Sequence, residues 1–310
     1  MINTEVGNIF YRLDPSTRDT LDNFQTYLSN MNRSGSKLKW KSSDTLETYR
    51  ANLTNPAYQK YKSYWLDESN AFTYNYNNYG FRTNDNFNNK ELGVVTLGCS
   101  FTEGIGLPYE LTWGYRIAQH LNVKHWNLGL AAMGLHTAYR VLLGAIQLGL
   151  KFNKIFLFVP PPFRYEFFIR DNKYVKKALG FEQDYLHTFI NHDNNWFSTA
   201  TQEQEKEFKF TRMLLEGDDS QSAFERVRMI SAIAGLAKLT GKEFYYQDST
   251  LHNSPVTIER AMSVSDDVCP NIPARDIHWH AKRQYNIYSN FVDELETNGT
   301  TKRGKLTKLL

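Results

Sequence analysis

An α/β fold built on a parallel sheet is predicted by three observations. Strand-like apolar runs alternate with helical stretches from residue 93 onward. One run, Ile155-Phe156-Leu157-Phe158-Val159, is continuously apolar, as a strand buried on both faces must be. The small residues Gly98, Cys99 and Ser100 follow the first run directly, so the chain can turn tightly at a strand end. Strands alternating with helices pair in parallel through right-handed crossovers. Ligands on such sheets sit beyond the carboxyl ends of the strands.

The elements follow in order. Residues 1–90 are polar and rich in Asn, Ser, Thr and Tyr, which predicts an N-terminal extension, partly helical, packing on the core. Helices are expected over 14–30 and 55–66, and a strand and turn over 72–82, where the alternation stops at Gly80. The main domain spans 91–297. Its first strand covers 93–97, with Val94, Val95 and Leu97 apolar. Pro108 and Glu110 suit a helix start, and that helix runs to Leu121. A strand at 125–128, a helix at 135–150 and the strand at 155–159 follow, the last stopped by Pro160, Pro161 and Pro162. Residues 165–220 have no strong period and read as a partly helical insertion. Phe224, Val227, Ile230, Ile233, Ala234 and Ala237 give 222–239 helical spacing, with Gly241 as its stop. A strand at 243–247 and a helix at 281–295 complete the pattern, and 298–310 form a basic tail.

Composition narrows the function classes. Charged residues at 22% and apolar residues at 41% are ordinary for a soluble globular chain. A net charge of +3 without a compact basic motif argues against nucleic acid. Aromatic residues are abundant, with 19 Tyr and 20 Phe, and are expected mainly in cores and subunit contacts. Two cysteines, Cys99 and Cys269, cannot build a disulfide framework, so both are expected reduced. No apolar run reaches membrane-spanning length and no signal-peptide core is present, so a cytoplasmic location is expected, or a host cytoplasm or virion for a phage-encoded chain. The remaining histidines show no zinc-ligand spacing, and Gly104-x-Gly106 lacks the third glycine of a dinucleotide fingerprint. Neither a metal nor a cofactor is expected.

Ser100 is the strongest chemical candidate. A serine hydroxyl needs an adjacent base, itself oriented by a third group, to act as a nucleophile at neutral pH. Cys99 offers a thiol alternative, but reads better as a small buried residue. The segment Gly93-Val-Val-Thr-Leu-Gly-Cys-Ser-Phe-Thr-Glu-Gly-Ile-Gly-Leu107 resembles block I of the SGNH (GDSL-like) hydrolases, with Cys99 where that family usually has Asp. It is not a Gly-x-Ser-x-Gly elbow, because Thr102 lies two residues after Ser100. Variants with Gly-Cys-Ser-Phe-Thr look most like those of phage and marine bacteria. The pattern Tyr74, Asn77, Gly80-Phe81-Arg82 is similar to one that often precedes the serine block in such chains.

The resemblance covers roughly 72–297 and implies a three-layer α/β/α sandwich with about five parallel strands. It also implies a Ser-His-Asp esterase with Ser100 as nucleophile. Family members carry base and carboxylate in a late Asp-x-x-His segment. Here Asp276 is followed by His278 two residues on and His280 four residues on, so His278 is the favoured base and His280 the alternative. Block II is matched by Asn127 and Gly129, with the oxyanion amide falling on Ala132, or on Gly134 if the loop is longer. Block III departs: no Asn follows the 155–159 strand, and Arg164 is the nearest donor. Arg164 is open to three readings: an oxyanion donor beside the Ser100 amide, a partner for Glu166, or a ligand for a substrate carboxylate. The implied substrate is a short acyl ester, such as an O-acetyl group on a carbohydrate, and no cofactor is implied. A catalytically silent glycan-binding or virion-associated module and an O-acyltransferase are the alternatives, and the oligomeric state stays open.

Overall fold

Strand β1 (Lys37–Leu38) pairs antiparallel with β2 (Tyr74–Asn75), placing Leu38 opposite Tyr74, and helix α1 (Leu46–Thr54) lies between them in sequence. The computed structural model describes residues 35–41, 44–56, 59, 72–131, 133–162, 164–167, 187–190, 219–248, 265, 267–269, 278 and 281–297. Helix α1 is not among the expected helices; of the helix expected over 55–66, all but residues 55, 56 and 59 lie outside the described residues. Thr45 caps it by accepting the Thr48 N–H at 3.1 Å. It stops because Asn55 precedes Pro56, whose ring excludes Asn55 from helical dihedrals; Asn55 is extended, at φ −71° and ψ 122°. The expected helix over 14–30 lies outside the described residues.

Past this segment the chain alternates as expected. In order come β3 (Gly93–Leu97), α2 (Ser100–Glu103), α3 (Trp113–His120), β4 (Lys124–Asn127), α4 (Leu135–Gln147) and β5 (Phe152–Val159). Then follow β6 (Arg164–Phe167), β7 (His187–Ile190), α5 (Asp219–Leu239), β8 (Glu243–Asp248) and α6 (Ala281–Glu296). Strands β4, β3, β5 and β8 form one sheet in that spatial order, and every pairing is parallel. Among the described residues the sheet therefore has four strands rather than about five. Only four segments of the main domain carry an apolar strand pattern, and the fifth strand came from the resemblance. Of the 165–220 insertion, residues 165–167 and 187–190 fall in the antiparallel β6–β7 ladder, with Tyr165 opposite Phe189, and 219–220 open α5.

Helices cover both faces of the sheet. Val95, Leu97, Trp126, Ile155 and Leu157 point to one side, where Val141, Leu142 and Ala145 of α4 and Ile233 and Leu236 of α5 pack on them. Their strand neighbours Val94, Phe156 and Phe158 point to the other side, against Trp113 and Ile117 of α3 and Ile287 and Phe291 of α6. Successive strand side chains alternate between faces, so a sheet covered on both sides carries apolar residues on both. The fold is a three-layer α/β/α sandwich.

One buried polar group inside this packing predicts an acid sensitivity. His125 on β4 is enclosed between Thr96 Oγ1, 2.8 Å from Nε2, and the Tyr109 hydroxyl, 2.7 Å from Nδ1. Burial pushes its pKa down from 6.5 to about 3. Between these values the unfolded chain binds a proton that the folded chain refuses. The contribution of His125 is complete above about pH 6.5 and is lost as pH falls toward 3. The slope attributable to it approaches ~1.4 kcal/mol per pH unit. Urea unfolding between pH 4 and 7 should show a shallower pH dependence for His125→Gln than for the wild type. Equal slopes would refute a neutral, buried His125.

Candidate active site at the carboxyl edge of the sheet

The chain leaves β3 through α3 to β4 on one side, then crosses back through α4 to β5 on the other side of β3. The strand order therefore reverses between β3 and β5, and in such sheets ligands usually sit beyond the carboxyl ends of the strands at that point. Ser100 lies three residues past β3, and Pro160 immediately follows β5.

The turn into Ser100 depends on Gly98. Its φ is +148°, and a methyl group there would lie 2.1 Å from Thr102 Oγ1 and 2.7 Å from the Phe158 carbonyl oxygen. The chain can therefore pass from β3 into α2 against β5 only with glycine at this position. Inside α2 the Cys99 carbonyl accepts the Thr102 and Glu103 N–H groups, and the Ser100 carbonyl accepts those of Gly104 and Ile105. The first-turn N–H of Ser100 has no intrahelical acceptor. Among the described residues no hydrogen bond engages the Ser100 hydroxyl, and the side chain is half-buried. Cys99 is fully buried and unpaired in any disulfide, as a small core residue would be.

Beneath α2 lies a charged cluster that the sequence reading did not find. Glu103 is buried, and its Oε1 accepts the Tyr76 hydroxyl at 2.7 Å and pairs with Lys41 Nζ at 2.9 Å. Its Oε2 accepts the Ala131 N–H at 2.5 Å. Arg82 is also buried and donates to the carbonyls of Glu103 at 3.2 Å, Leu107 at 2.6 Å and Gly104. It thereby grips the carbonyl end of the serine helix and the loop after it. Burial pushes the Arg82 guanidinium pKa down, against the opposing pull of Tyr74, Tyr76 and Glu103. Tyr74 donates to Asp44 and accepts the Gly106 N–H at 2.7 Å; burial and then the Asp44 charge raise its phenol pKa. Asn77 and Gly80 turn the chain into Arg82: Asn77 Oδ1 accepts the Tyr79 and Phe81 N–H groups at 3.0 Å, and Gly80 has φ +78°. The Tyr74–Arg82 pattern was therefore the one available signal for this cluster.

The loop after β4 packs directly on the serine helix. Asn127 Oδ1 accepts the Gly129 N–H at 2.9 Å, and its Nδ2 donates to the Thr102 carbonyl at 3.3 Å. The Leu130 N–H reaches the Gly98 carbonyl at 3.0 Å. A methyl group on Gly129 would stand 2.6 Å from the Glu103 nitrogen, so only glycine permits this approach. Farther along, a methyl group on Gly134 would stand 2.0 Å from the Arg164 carbonyl oxygen. The backbone of Arg164 is thus brought against the end of this loop, and one buried guanidinium nitrogen, Nη1, makes no hydrogen bond among the described residues. Ala132 lies outside the described residues.

His278 lies against Phe101. Its ring meets the Phe101 ring edge-on, with centroids 5.5 Å apart. Phe101 follows Ser100 in the chain, so the structure brings this histidine to the serine turn. Helix α6 is tied to the same turn: Gln284 Nε2 donates to the Phe101 carbonyl at 2.9 Å, and its Oε1 accepts the Trp113 N–H at 3.1 Å. Asp276 and His280 lie outside the described residues. Among the described residues no group of three or more His, Cys, Asp or Glu is placed to hold a metal ion, and no helix is long and apolar enough to cross a membrane.

No family model and no curated protein matches this chain. Among solved structures it is similar to a candidate lipolytic protein of the G-D-S-L family from Desulfitobacterium hafniense DCB-2. The identity is 13% and the TM-score 0.26, over 65% of this chain and 98% of that one.

Proposed function

We propose that this chain is a serine esterase whose nucleophile is Ser100. The observation that carries the reading is a serine hydroxyl that no described residue engages, just after a central strand, at the point of strand reversal, with an imidazole against the next side chain. In the proposed reaction Ser100 Oγ attacks an ester carbonyl and His278 takes the hydroxyl proton. The carbonyl electron pair moves to oxygen, where the Ser100 amide, the amide of Ala132 or alternatively Gly134, and the Arg164 guanidinium stabilise it. Collapse expels the alcohol, which leaves with the proton from His278, and water repeats the sequence on the acyl-enzyme. Asp276 is assigned the orientation of the imidazole. A short acyl ester, such as an O-acetyl group on a carbohydrate, is the proposed substrate class, and transfer of the acyl group to a sugar instead of water is the variant reading.

An activated serine reacts with a fluorophosphonate and an ordinary serine does not. Wild-type protein is expected to gain one adduct mapping to the peptide that contains Ser100. Labelling should disappear in His278→Ala and survive in His280→Ala. Loss in His280→Ala alone would transfer the base to His280, and a folded wild type that takes no label would overturn the esterase reading in favour of a silent binding module.

A further inference from the structure

Glu103 takes no part in the proton transfers just described, yet it is the hub of the charged cluster under the serine helix. Its side chain is 0% exposed and that of its partner Lys41 3%. An apolar pair of the same volume would fill this space without the cost of desolvating two charges. What the carboxylate adds is direction. Tyr76 and Lys41 hold Oε1 from the N-terminal segment, which leaves Oε2 aimed at the Ala131 N–H. Glu103 is three residues from Ser100 on the same short helix, and Ala131 immediately precedes Ala132 in the chain. The carboxylate therefore joins the element that carries the nucleophile to the loop assigned the second oxyanion amide. The close approach of Gly129 to the Glu103 nitrogen leaves no slack between them.

We infer that Glu103 is a positioning residue, with Lys41 as its anchor, that sets the separation between the Ser100 turn and the oxyanion loop. This rests on the esterase reading. Oxyanion donors act only within about 2.7–3.1 Å of the developing charge. A misplacement of about 1 Å can cost on the order of 10²-fold in rate. The N-terminal segment is on this account part of the catalytic architecture.

The test compares two charge-balanced pairs, Lys41→Met/Glu103→Gln and Lys41→Met/Glu103→Leu. Glutamine still offers Ala131 an acceptor oxygen, whereas leucine fills the space and offers none. For a p-nitrophenyl ester, kcat and the fluorophosphonate labelling rate should be on the order of 10 to 10² times lower in the leucine pair, with KM alike. Equal kcat and labelling in two folded pairs, alongside a labelled wild type, would overturn the positioning role and leave the esterase reading standing. An unlabelled wild type would overturn that reading itself. A crystal structure of the wild-type adduct decides independently if the leucine pair does not fold. A phosphoryl oxygen bonded by the Ser100 amide and the amide of Ala132 or Gly134, with the Ala131 N–H still on Glu103, supports the role, and an oxygen turned away from both amides or bonded by the Ala131 N–H overturns it.

Discussion

Ser100→Ala is expected to lower ester turnover by a factor on the order of 10⁴ to 10⁶ while leaving the fold unchanged. Removal of a nucleophile that works as a unit with its base costs about this much, and the residue left behind is whatever the oxyanion donors achieve alone. The stability effect should be small. The hydroxyl makes no hydrogen bond among the described residues, and the side chain is not fully buried. Substitutions of that kind usually fall within about 0.5 kcal/mol. Turnover of a p-nitrophenyl ester, measured beside the thermal midpoint, separates the two effects. A folded Ser100→Ala protein that still turns over ester at the wild-type rate would remove Ser100 from the chemistry.

The largest expected loss of stability belongs to Lys41→Met. This change takes the ion-pair partner from the enclosed Glu103 carboxylate, which keeps Tyr76, the Ala131 N–H and the field of the buried Arg82 guanidinium. Breaking one side of a buried ion pair typically costs about 3–5 kcal/mol, because the remaining charge has lost water and gained nothing. Lys41→Met/Glu103→Leu removes both charges and should recover much of that loss. Urea unfolding of the wild type, the single variant and the pair closes a cycle that isolates the coupling. A single variant as stable as the wild type would show that Lys41 carries no weight in the fold.

Much of the architecture was legible from local periodicity. The continuous apolar run ending at Val159 became the central strand β5, and the alternation around it gave the layers. Ser100 stood out because small residues cluster only where backbone must approach backbone, and the Gly98 and Gly129 geometry is the physical form of that signal. His278 was legible as a residue near the last helix, and its approach to Phe101 follows from the way α6 docks through Gln284.

The cluster beneath the serine was not legible. Lys41 closes the run Lys37-Leu38-Lys39-Trp40-Lys41, which reads as a solvated basic stretch, and Glu103 reads as one more polar residue in a loop. His125 likewise carries no mark of its burial. Periodicity reports which side of an element faces a core, since the element imposes the repeat on its own residues. Whether a lysine, a glutamate or an imidazole leaves water depends on which distant segments close over it and what partners they bring, and that balance of desolvation against pairing exists only once the chain has folded.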